Sequence, residues 1–113
     1  MICCQLIFKP GNYDDDFYSL DGEIESYARS VPGFLSVDKW ISQDGTVTNA
    51  SYFFKGMSDV RQLSSFAQHQ QAKTEYARWL DGYQIVVYEV KGAYGDGRLA
   101  HITQELEATQ SDR

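Results

Sequence analysis

FLSVDKWISQDGTVTNASYFFK, residues 34–55, carries the most specific local signal in the chain. Residues 34–42 and 46–55 are rich in β-branched and aromatic side chains, and Gln43-Asp44-Gly45 lies between them. An Asp-Gly pair flanked by β-formers predicts a hairpin, because both turn positions tolerate positive φ. On the N-terminal side, residues 14–31 predict a helix. Phe17, Leu20, Ile24, Tyr27, Ala28 and Val31 recur at spacings of three and four and form one apolar stripe. Asn12 or Asp14 can cap its start, and Asp14, Asp15 and Asp16 suit the positive end of its dipole. Pro32-Gly33 stops it. Further back, residues 2–9 read as a strand, with Ile2, Cys4, Leu6 and Phe8 on one face and Cys3, Gln5, Ile7 and Lys9 on the other.

Beyond the hairpin, residues 58–80 return to helical period in two segments. Ser58 is the expected N-cap, and Val60, Leu63 and Ala67 share a face. A second stripe holds His69, Ala72, Tyr76 and Leu80, and Asp81-Gly82 is expected to close the helix. Residues 83–91 form the last strand. The order β-α-β-β-α-β is the split βαβ arrangement: an α+β, ferredoxin-like domain with a four-stranded antiparallel sheet and both helices on one face. The other face is also apolar in places. Val86, Tyr88 and Val90 oppose Tyr83, Ile85 and Val87, and Phe34 and Trp40 oppose Leu35, Val37 and Ile41. A sheet apolar on both sides needs a second cover. A twin copy is the economical one, so the expected assembly is a homodimer with isologous contacts, a dimeric α+β barrel. Residues 1–95 are read as one domain. Residues 96–113 are read as a tail, in which Leu99, Ile102 and Leu106 have the spacing of a short docked helix and the last residues are disordered.

The composition excludes several function classes. Hydrophobic residues make up 42% and charged residues 23%, which is ordinary for a chain with its own core. The net charge of −6 comes from Asp14, Asp15, Asp16, Asp21, Glu23 and Glu25, since the other ten acids balance ten bases. No basic stripe is present for nucleic acid, nor any basic patch for an anionic membrane. No secretory signal is visible at the N-terminus, so the cytoplasm is the expected compartment. Cys3 and Cys4 are adjacent and should point to opposite faces, where a bridge would be strained. They read as small buried residues.

Val31-Pro32-Gly33-Phe34-Leu35 resembles the PGF-type motif of the antibiotic biosynthesis monooxygenase-like family. Three later stretches look similar to that family in the same order: Ser51-Tyr52-Phe53-Phe54-Lys55 with Met57-Ser58-Asp59, His69-Gln70-Gln71-Ala72-Lys73, and Tyr83-Gln84-Ile85 through Tyr94-Gly95. The likeness spans residues 2–95. It implies a dimeric α+β barrel with a pocket between sheet and helices. The family includes cofactor-independent quinone-forming monooxygenases, haem-degrading enzymes and proteins with no known reaction. The haem-degrading branch is similar in its helical histidine, matched by His69. Its tryptophan falls near Leu63 and its strand-one asparagine near Cys4, two departures that count against haem oxygenation.

His69 is the best candidate for chemistry, as a general base on a phenolic substrate or as a haem ligand. The plain alternative is a hydrogen-bonded histidine at the core margin. Tyr52, Phe54, Phe66 and Trp40 could wall an aromatic pocket, or could be ordinary core. Asn49 and Ser51 could bond a ligand carbonyl, or face a wet dimer interior. Cys4 would floor the pocket, and Leu63 and Tyr76 would line it. The acidic run fans around a helix start, so no metal site is expected, and His101 is expected to be exposed. Three readings follow. The first is a cofactor-independent monooxygenase-like enzyme acting on an aromatic or quinone-like compound. The second is a binder of haem or another hydrophobic ligand without turnover. The third is a structural or regulatory dimer.

Overall fold

The hairpin forms, with a different turn from the one the Asp-Gly pair predicts. In the computed structural model, which describes residues 1–104 and of residues 67 and 68 only the backbone, β2 (Phe34–Ile41) and β3 (Thr48–Phe54) pair antiparallel. Only Gly45 takes positive φ (76°), and Asp44 does not. The loop is closed by Ser42 N–H to Val47 C=O (2.8 Å) and Gly45 N–H to Ser42 C=O (2.9 Å). The Asp44 carboxylate accepts from both the Ser42 and Thr46 hydroxyls at 2.8 Å, so side-chain bonds replace the tight two-residue turn.

β1 (Ile2–Pro10) lies between β3 and β4 (Leu80–Glu89), giving the sheet order β2-β3-β1-β4, antiparallel throughout. α1 (Asp15–Ser30), α2 (Met57–Ser65) and α3 (Ala67–Glu75) supply the helical layer, and a 3₁₀ turn (Tyr76–Arg78) leads into β4. This is the α+β, ferredoxin-like split βαβ. The stripe of α1 buries Leu20, Ile24 and Ala28, with Val31 beyond its end, against Cys4, Tyr52 and Phe54 of the sheet. Asp14 is its cap and accepts from the Phe17 N–H at 2.9 Å.

Gly33 is buried where α1 hands over to β2. A Cβ there would collide with the carboxylate of Asp59, which accepts from the Gly56 N–H (3.1 Å) and so caps α2. α2 therefore begins two residues earlier than expected, with Gly56 rather than Ser58 at its N-cap. The helical stretch also ends sooner. Leu80, Asp81 and Gly82 open β4 instead of closing a helix, because Pro10 and Lys9 of β1 pair with Leu80 and Gly82. Phe34 belongs to the helix side with Val37, not opposite it, because a register shift between Phe34 and Ser36 reverses the alternation.

The outer face carries Cys3, Gln5, Asn49, Ser51, Phe53, Asp38 and Trp40 by register. It is not bare. The chain after β4 returns over it, and the His101 imidazole bonds Asp38 Oδ2 at 2.6 Å and stands edge-on to Phe53, ring centroids 5.6 Å apart. His101 is thus half-buried, contrary to the exposure expected for it, because the tail docks across the sheet. Residues 101–104 form a turn. The tail helix expected over Leu99 to Leu106 and the disordered end fall largely outside the described residues. No described helix is long and apolar enough to cross a membrane.

Candidate functional site

The helical layer is incomplete over β4. α1 and α2 cover β1 and β3, but α3 carries AQHQQAKTE, too polar to pack tightly on the sheet edge. Ile85 and Val87 are left exposed, and a groove of about 410 Å³ opens between α3 and the sheet. Its floor is Cys4, Leu6 and Phe8 of β1, Tyr52 of β3, and Ile85 and Val87 of β4. Phe17, Leu20 and Ile24 of α1 and Leu63 of α2 form the wall on one side. His69 and Ala72 of α3 and Tyr76 of the 3₁₀ turn form the other, the stripe that the helical period groups together.

His69 has a buried Nδ1 with no hydrogen-bond partner in the structure. Such an orphan costs about 1–3 kcal/mol, which a ligand group would recover. Burial, with Lys73 one turn away as the lesser cause, holds the imidazole below its ordinary pKa of 6.5. The ring is neutral at pH 7 and able to take a proton. Stability follows with a definite sign. The unfolded chain binds the proton first as pH falls, so stability is full above about pH 6.5 and declines between that value and the lowered pKa of the folded state. Urea midpoints taken from pH 8 to pH 5 should therefore fall on the acid side, and His69→Gln should flatten that part of the profile. An equal decline in the variant would assign the effect to other groups.

The other candidates divide cleanly. Cys4, Tyr52, Leu63 and Tyr76 line the groove with His69. The Cys4 thiol is pushed up to about 11 by burial, and burial also pushes the Tyr52 phenol above its usual range. Neither is ionised at pH 7, so Cys4 is apolar floor and not a nucleophile. Four candidates lie outside the groove. Trp40 and Asn49 face away from the groove, because both alternate with the inward residues Lys39 and Ala50. Trp40 is 67% exposed there, and Asn49 donates to the Ser51 hydroxyl at 2.9 Å. Phe54 is buried beneath the helices as core. Phe66 breaks the chain between α2 and α3 with extended ψ and stacks on Tyr27 at 3.9 Å, outside the groove.

Sequence reading missed Trp79. It lines the groove while 3% exposed, and its indole N–H donates to Asp14 Oδ1 at 2.8 Å. The bond joins residues 65 apart, and no local pattern announces it. The acidic run is thereby explained: Asp14 caps α1 and holds Trp79, while Arg78 reaches Asp16 at 3.2 Å and lies over the Trp79 ring at 4.7 Å. Tyr76 and Tyr83 meet edge to face, ring centroids 4.7 Å apart, from the 3₁₀ turn to β4. Among the described residues no cluster of His, Cys, Asp or Glu could hold a metal ion.

No protein-family profile matches the sequence, and no curated protein is detectably similar to it. Solved structures are similar in three dimensions. Rv0793 from Mycobacterium tuberculosis superposes with a TM-score of 0.66 at 13% identity, over 83% of this chain and 98% of that one. SnoaB, a cofactor-independent oxygenase from Streptomyces nogalater, gives 0.65 at 10% identity, over 81% and 94%. A candidate antibiotic biosynthesis monooxygenase from Nitrosomonas europaea gives 0.62 at 16% identity, over 80% and 99%. The order of elements, the sheet order and these superpositions agree: the chain has the ferredoxin-like fold of the antibiotic biosynthesis monooxygenases.

Proposed function

We propose that the groove binds a flat aromatic or quinone-like molecule and that His69 is the general base of a cofactor-independent oxygenation. The observation that carries this reading is the neutral His69 imidazole with an orphaned Nδ1, set in a groove otherwise walled by aromatic and aliphatic side chains. Such a groove favours a planar apolar body, and the one unpartnered buried nitrogen selects where a transferable proton must sit. On an anthrone the ring-methylene proton passes to His69, and the electron pair delocalises onto the ring oxygen as a phenolate. Dioxygen then accepts the electrons, one of its atoms becoming the new carbonyl and the other leaving as water. SnoaB, which shares the fold, is a cofactor-independent oxygenase, and this supports chemistry without a prosthetic group here.

Haem fits the residues poorly. His69 could meet an iron, but the groove offers two propionates a single ammonium, Lys73, with the Asp21 carboxylate in the same lining. Leu63 and Cys4 stand where the haem-degrading resemblance calls for tryptophan and asparagine. The reading includes a homodimer joined through the outer face, where Trp40 and Tyr88 are exposed and Asn49 Oδ1 is buried without a partner. Sedimentation should then show a dimer at micromolar concentration.

The deciding experiment is oxygen uptake on a panel of anthrones and hydroquinones, with binding measured in parallel. Wild type should turn over at least one of them, and His69→Ala should lose about 10²- to 10⁴-fold in rate with binding retained. Equal rates would remove His69 from the chemistry. Tight binding with no uptake by wild type would leave the groove a carrier site for a hydrophobic ligand.

A further inference from the structure

The proposed aromatic ligand must meet a second polar group in the groove besides His69. Lys73 follows His69 by one turn of α3, so the two side chains share a face and both line the groove. The Lys73 ammonium donates to the Ser64 hydroxyl of α2 at 2.9 Å. That bond ties the lysine to α2 along the wall of the groove, and among the described residues no carboxylate pairs with it. By contrast, Glu25 matches Lys39 and Arg29, and Asp14, Asp16 and Glu75 match Arg78. Asp21 of α1 is the one carboxylate in the groove lining, and it lies within the influence of Lys39 and Glu25 at the β2 side. The remaining titratable groups facing the cavity are the Cys4 thiol and the Tyr52, Tyr76 and Tyr83 phenols, which carry no charge to answer an ammonium while protonated.

We infer that the groove takes an aromatic acid, with its anionic group held by Lys73 and a separate proton-donating hydroxyl or activated C–H presented to His69. The inference rests on the proposed function and narrows its substrate class. Two polar positions on one helix face, roughly 5–6 Å apart at Cβ, fix the direction in which a flat ligand lies along the apolar floor. Lys73 is itself exposed, so it stands at the rim of the groove, where an anion gains the modest attraction of a solvated charge pair.

The test compares 6-hydroxy-2-naphthoate with its methyl ester, which has the same ring and hydroxyl and no charge. Calorimetric titration of the full chain at low salt should show the acid binding about two- to fivefold tighter than the ester. Added salt should weaken the acid and leave the ester unchanged. Lys73→Met should remove the preference while keeping ester affinity, and Lys73→Arg should keep the preference. Acid and ester binding equally to wild type, or a preference that survives Lys73→Met, would overturn the inference and leave the aromatic groove standing. Failure of both probes to bind, with circular dichroism showing the protein folded, would overturn the groove reading itself and this inference with it.

Discussion

Trp79→Ala should destabilise the protein by about 3–5 kcal/mol, as expected for deleting a buried large aromatic side chain. The side chain is 3% exposed and packs at an angle on Phe17, ring centroids 5.7 Å apart. Its indole N–H goes to Asp14, and its backbone carbonyl accepts from the Gly11 N–H at 2.7 Å. One residue thus ties the start of α1, the end of β1 and the entry to β4. The substitution opens a cavity and frees the α1 cap from its second partner. It also removes a wall of the groove, so aromatic ligands should bind more weakly to the fraction that remains folded. Urea unfolding at pH 7 measures the cost through a lower midpoint at constant slope. Trp79→Phe should retain most of the packing and show a smaller loss. A cost for the alanine variant below about 1 kcal/mol, the level of an ordinary substitution, would show that this three-way junction does not hold the fold together.

Phe54→Ala should cost a similar amount, about 3–5 kcal/mol, without touching the groove. Phe54 has no exposed surface. It sits opposite Ile2 and Phe34 in the sheet, with its ring centroid 6.0 Å from that of Phe34 and 6.5 Å from that of Tyr52. The sequence offers it as a pocket wall because it shares a strand face with Tyr52. The structure sets it two residues further along, under the C-terminal half of α1, where α1 and α2 already close the layer. The two roles differ in a measurable way. A core residue changes stability and leaves ligand affinity intact, whereas a wall changes both. Phe54→Leu, which keeps most of the volume, should therefore bind 6-hydroxy-2-naphthoate as wild type does while unfolding at a lower urea concentration. Weaker binding by a fully folded Phe54→Leu variant would return Phe54 to the site.

Fold and site were legible to different degrees for a physical reason. The hairpin, the α1 stripe and the β-α-β-β-α-β order are written in local periodicity, since a 2-residue or 3.6-residue repeat forces one face of each element toward a common core. The same repeat put His69, Ala72 and Tyr76 on one side of α3 and the turn that follows it, and Cys4 and Tyr52 on the helix side of the sheet, so half of the groove could be read directly. Trp40 and Asn49 lie on the outer face, which the sequence left open because strand parity says which residues share a face, and only pairing register says which face that is. Phe66 lies outside the groove because it sits at the break between α2 and α3, and the sequence divides that stretch in two without saying where the breaking residue turns.

Local pattern specifies the set of elements, their order and the faces each one buries. The places where distant segments meet come from packing alone. Asp14 finds Trp79, His101 finds Asp38 across the outer face, and α3 stands off β4 far enough to leave a groove with an orphaned His69 nitrogen. Those meetings depend on how packed layers settle against one another, a property of the whole chain's volume and register that no local pattern encodes.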